Sequence, residues 1–193
     1  MKKATILLLA IVCIMNIGGR ALAQDGDAAA MKRWTDFMTP GDMHKVLAAA
    51  TGKWTEEITM WMAPGQPPIK SSSTSEYKMI LGGRYQQANI TGSFSGMPFE
   101  AMSLIGYDNM KKVFVSSWID NMGTGILNSE GPYDAATNTI TLTGTQAEPM
   151  SGKDLKMRET IRMTDNNTMI MEMFTSTDGG KEMKSMEIKL KRK

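Results

Sequence analysis

From Gly52 to the C-terminus the sequence alternates apolar and polar residues with a period of two, and this limits the fold more than any other feature. Side chains on a β-strand point to opposite faces in turn, so a half-buried strand repeats every second residue. Ten strand-like runs can be read, at about 53–62, 71–81, 84–93, 97–106, 111–119, 123–131, 138–147, 153–163, 168–176 and 181–191. Turn signals separate them, among them "LGG", "SFSG", "DNMG", "TDNN" and "TDGG". Connections this short join antiparallel neighbours in an up-and-down order. An open sheet of that kind leaves two unpaired edges, and closure removes both. The fold class expected is all-β: a ten-stranded antiparallel up-and-down barrel, wide enough to enclose space.

The run "RYQQANIT" bears on that interior. Gln86 and Gln87 fall on opposite faces, so one of them points inward. A dry core excludes an unpaired amide and a wet lumen accepts one; a rim strand polar on both sides gives the same pattern.

Ahead of the strands, "TPGDMHKVLAAATG" reads as a short helix, with Pro40 near its first turn and Gly52 after its last. Its apolar face holds Met43, Val46, Leu47 and Ala50. Residues 24–38 lack clear periodicity and are expected to form a flexible spacer. The opening "MKKATILLLAIVCIMNIGGRALAQ" reads as a signal peptide over residues 1–23. Lys2 and Lys3 precede an apolar stretch too short for a good membrane span, and Ala21-Leu22-Ala23 supplies a cleavage site. The competing reading is a retained N-terminal anchor. Cys13 lies inside the signal behind Val12, which does not suit lipidation, so the mature chain has no thiol.

Cleavage changes the charge. The chain has 22 basic and 20 acidic residues; removing Lys2, Lys3 and Arg20 leaves 19 against 20. The excess of base belongs to the signal, and no nucleic-acid partner is expected. The domain plan is a signal over 1–23, a spacer over 24–38 and a barrel over 39–193. It implies a periplasmic or secreted protein with no membrane span once cleaved.

Several motifs together carry a family likeness: "PGDMHKVLAAATGKW", "ILGGRY", "GMPFEAMSLIGYDNMKKVFVSSWIDNMGTG", "EGPYD" and "KSMEIKLKRK". Over residues 40–193 they resemble a bacterial family of exported proteins, domain of unknown function family 1579. The resemblance implies a lipocalin-like (calycin) barrel and no established activity. Gly52-Lys53-Trp54 is similar to the Gly-x-Trp that opens such barrels, where the Trp closes one end under an Arg from the last strand. Arg192 is the matching residue, as a cation–π partner with a structural role. Some related barrels hold haem through a histidine on a late strand. This chain departs from them, since its one histidine, His44, precedes the first strand. No cofactor is expected.

The candidate ligand-binding residues are Glu159, Glu172, Arg84, Gln86, Trp118 and Asp120. If "TDNN" at 164–167 is a four-residue loop, Met163 faces Thr168 and Glu159 faces Glu172. Such a pair lies roughly 5 Å apart and repels unless a proton, cation or ligand lies between. Competing readings are a shifted register, an Arg84 or Lys184 partner, or an outward strand. Trp118 and Asp120 share a strand face, as a rim pair at the mouth or as a turn cap plus packing. The strip Met169, Met171, Met173 suits adaptable apolar filler better than a copper(I) site. His44 suits packing beside the helical stripe. A hydrolase triad is hard to assemble with no thiol and one histidine.

The leading functional expectation is a lumenal site for a small, mostly apolar or amphipathic ligand. The alternatives are an enzyme built on the Glu159–Glu172 carboxylates, and an envelope protein that binds a partner rather than a ligand.

Overall fold

A computed structural model describes residues 17–149, 151–177 and 180–193. The chain divides into two units, Met1–Met38 and Thr39–Lys193. In the first, α1 spans Ile17–Met38. Most of the expected signal lies outside the described residues, and its last part begins α1. The stretch read as a flexible spacer is helical instead. Ala28-Ala29-Ala30 favours helix, and Lys32 bridges Asp36 one turn on at 2.7 Å. Among the described residues, no helix is long and apolar enough to cross a membrane.

The second unit opens with α2 (Asp42–Ala48). The strands are β1 (Gly52–Met60), β2 (Ile69–Ile80), β3 (Tyr85–Phe94), β4 (Met97–Asp108), β5 (Val113–Asp120), β6 (Leu127–Gly131), β7 (Tyr133–Asp134), β8 (Thr139–Glu148), β9 (Lys153–Asp165), β10 (Thr168–Thr177) and β11 (Met183–Arg192). All pairings are antiparallel, and consecutive strands pair from β1 through β6 and from β8 through β11. Two further pairings, β1 with β11 and β6 with β8, close the barrel. β6 and β7 are one strand broken at Pro132: Ser129 faces Gly144 and Tyr133 faces Ile140, in a single register against β8. Counted so, the barrel has the ten strands the alternation predicts.

Closure depends on a close approach. A Cβ at Gly131 would collide with the backbone carbonyl of Thr141, so only glycine lets β6 lie against β8 there. At one end α2 acts as a plug. Leu47 and Ala50 join a buried cluster with Trp54, Tyr77, Ile105, Phe114, Leu142 and Leu190, and Met43 and Val46 pack against it. Gln86 Nε2 donates to the Leu47 carbonyl, and Trp54 Nε1 donates to that of Ala50 at 2.9 Å.

Arg192 locks this end. Its guanidinium lies 4.3 Å from the centre of the Trp54 ring. It also donates to the carbonyls of Ala49, Thr51 and Asn166. These carbonyls, two of them just past the end of α2, lack strand partners, and one planar donor serves all three. Gly52 permits it: φ is +135°, and a Cβ there would stand 2.8 Å from Arg192 Nη1.

Candidate functional site

The inner wall changes character along the barrel axis. Next to α2 the inward residues are buried: Trp54, Tyr77, Ala88, Ile105, Phe114, Leu142 and Leu190. Farther along the same faces most become half-buried, as at Ala101, Ser103, Ser116, Trp118, Glu159, Met171, Met173, Met186 and Ile188, while Met60 and Met157 stay buried. Inward residues that keep accessible surface border open space. The plugged half is therefore packed core, and the other half is more loosely filled. At the far rim Met62, Ile69, Met97, Met122 and Ile126 are exposed.

A polar group lies within this wall. Glu56, on β1, is 4% exposed. Its carboxylate accepts hydrogen bonds from the Ser73 and Ser75 hydroxyls on β2. The register produces this, because Glu56 faces Ser73 and Trp54 faces Ser75, all on the inner side. Glu159, on β9, is the second acid. It is half-buried on the inner wall between the buried Met157 and Ile161, and burial alone pushes its carboxyl up to about 7. Burial also raises the Tyr77 phenol above its ordinary value, and the charges of Glu56 and Glu159 raise it further. Both acids are thus near enough to act on one ring.

Glu172 requires a correction. It faces Thr160, not Glu159, and Glu159 faces Met173. The connection is tighter than a four-residue loop: Asp165 pairs with Thr168, and an irregularity at Thr168/Met169 shifts the register. A shift of one residue moves a side chain to the other face. Glu172 therefore lies on the outer wall, where its Oε1 accepts from Lys184 Nζ at 2.6 Å. The carboxylate pair does not form.

The other expected residues are dispersed. Arg84 is exposed in the β2–β3 turn, with Nη1 3.2 Å from the Leu81 carbonyl. Gln86 points inward but is committed to α2. Trp118 Nε1 donates to Asp120 Oδ2 at 2.7 Å. Asp120 Oδ1 accepts from the amides of Met122 at 2.9 Å and Gly123 at 3.2 Å. One carboxylate thus caps the turn and fixes the indole at the open end. Asp108 and Asp134 cap their turns in the same way. His44 is buried in α2, and its Nδ1 accepts from the Gly41 amide at 3.0 Å. Burial, then the charge of Arg84, lowers its pKa.

Sequence reasoning missed Glu56, Ser73, Ser75 and Tyr77. Parity was the available signal: Glu56 lies two residues from Trp54, the one residue of β1 with an assigned inward role. Two grooves of about 330 and 550 Å³ lie elsewhere, lined chiefly by outward residues near the β6–β8 seam and sharing Glu130 and Thr143.

Residues 39–192 match the family model described as "Protein of unknown function (DUF1579)". The chain belongs to this family. No curated protein matches it in sequence. Among solved structures, this DUF1579 chain is similar to Rv2717c from M. tuberculosis, at 11% identity and a TM-score of 0.59, over 80% of this chain and 99% of that one. It is also similar to a redesigned β-barrel, at 11% identity and a TM-score of 0.41, over 77% and 95%. The first likeness is one of fold.

Proposed function

We propose that this DUF1579 protein is an exported barrel that binds a small, mostly apolar ligand in its lumen. The observation that carries this reading is the set of half-buried inward apolar side chains away from α2, Ala101, Trp118, Met171, Met173, Met186 and Ile188, interrupted by the buried Met60 and Met157. Such a cleft, mostly apolar with a few polar groups, fits a small-molecule site. Met171, Met173 and Met186 supply adaptable wall, and Glu56 and Glu159 supply orientation. The enzyme reading loses its ground with the Glu159–Glu172 pair. The partner-binding reading draws on the exposed rim of Met62, Met97, Met122 and Ile126.

Native mass spectrometry of protein purified from its own cell envelope tests the ligand reading. A retained small molecule supports it; a retained polypeptide favours the partner. Export is tested on the same sample by N-terminal sequencing. Cleavage after Ala23 gives a chain that starts at Gln24, and an intact Met1 contradicts it.

A further inference from the structure

The charge inside the barrel is of one sign. Glu56 and Glu159 face the interior, and Asp120 stands at the open end of the same wall. Among the described residues, Arg192 is the one basic side chain on the inner faces between plug and rim, and it is committed to Trp54 and three carbonyls. Lys153 shares that parity but is exposed at the tip of the β8–β9 hairpin, opposite Glu148. Lys184, Arg158 and Lys189 lie on the outer wall, bridging Glu172, Glu182 and Glu187.

The two inner acids differ in their partners. Glu56 is held by the Ser73 and Ser75 hydroxyls. Glu159 is enclosed by the wall, and neither a hydrogen bond nor a nearby cation contributes to its titration; burial is its sole perturbation. Its side chain is half-buried on the inward face of β9. An unpaired carboxylate in such a place is costly, and the fold would be more stable with an apolar residue there. A ligand that brings a positive charge removes that cost. A ligand carboxylate adds to it, because like charges come together in a poorly screened interior.

We propose that the lumen selects an amphipathic organic cation, an apolar body bearing a protonated amine whose ammonium group docks against Glu159. This rests on the lumenal reading above and names its ligand class. The apolar body lies along Met171, Met173, Ile188 and Trp118. The ammonium donates to Glu159, while the Ser73 and Ser75 hydroxyls hold Glu56. Charge-assisted hydrogen bonds of this kind are stronger than neutral ones.

The test uses three probes with one tail: octylammonium, octanol and octanoate, titrated by calorimetry into the mature chain at pH 8. The expected order is octylammonium tightest, by about tenfold or more over octanol, with octanoate weakest. Glu159→Gln is expected to bring octylammonium to within about twofold of octanol. Octanoate binding as tightly as octanol, or an ammonium preference that survives Glu159→Gln, overturns the inference. Octanol binding with no preference for the cation sinks this inference alone. If none of the three binds, the lumenal reading itself falls and takes the inference with it. Should Glu159→Gln fail to fold, the order of the probes on the wild-type chain still decides.

Discussion

Two glutamates of the same strand pair meet opposite fates, and the difference is one residue of register. Glu172 lies on the outer wall, half-buried, with Lys184 2.6 Å away. Ion pairs near solvent contribute little, so Glu172→Gln is expected to change stability by less than about 1 kcal/mol in a denaturant titration. Glu159 is different. Its carboxyl titrates near 7, against 4.5 for the ordinary group. The folded state binds this proton more tightly than the unfolded state, so it loses stability as pH rises from about 4.5 through 7. The loss is on the order of 3 kcal/mol. Glu159→Gln removes it. Variant and wild type are expected to match near pH 4.5, with the variant the more stable at pH 8. A difference in melting temperature that does not vary with pH contradicts this.

The inward face of Glu159 was legible, because Leu155, Met157, Ile161 and Met163 share it. The face of Glu172 was not. Its strand is apolar on both sides, with Met169, Met171 and Met173 inward and Ile170 and Phe174 outward. Phe174 tolerates the outer wall because the Arg158 guanidinium covers its ring at 4.0 Å. Hydrophobicity alone cannot orient such a strand. The turn had to decide, and Asn166–Asn167 form a tighter one than the sequence suggests.

At the scale of elements, the plugged end is the firmest part of the barrel. Trp54, Arg192 and the end of α2 share one set of bonds around Gly52. Any side chain at Gly52 faces two penalties: a positive φ that disfavours a Cβ, and Arg192 Nη1 2.8 Å from where that Cβ would sit. Gly52→Ala is expected to cost about 2 kcal/mol or more by denaturant titration, above the usual cost of a surface change. Gly52→Ala introduced into an Arg192→Met background separates the two penalties, because only the backbone term remains there. The Gly-x-Trp and the last-strand Arg were visible in the sequence because each depends on residue type. The serine ladder of "SSSTSE" was not, because serine suits an exposed strand equally well. Only its pairing with Glu56 turns Ser73 and Ser75 inward. α1 was missed for another reason: a helix without an apolar stripe leaves no period to read, and its alanines act through propensity alone.

At the scale of the molecule, turns and alternation were enough to give ten strands and their order. Closure followed, because an up-and-down sheet of that length must cover its edges. The break at Pro132 did not change the count, since β6 and β7 keep one register against β8. The seam remains the thinnest part of the wall, with four paired positions between the broken strand β6–β7 and β8. The proposed function stands on one feature, a lumen in the half of the barrel away from α2 that admits a small molecule. A fluorescence titration of the protein with neutral N-phenyl-1-naphthylamine, beside an Ala101→Trp variant that fills the half-buried inner wall of β4, is the decisive test. Saturable binding of one probe per wild-type chain, lost in a variant that melts like wild type, is the expected result. No saturable binding to the wild-type chain, or equal binding to both, would contradict it.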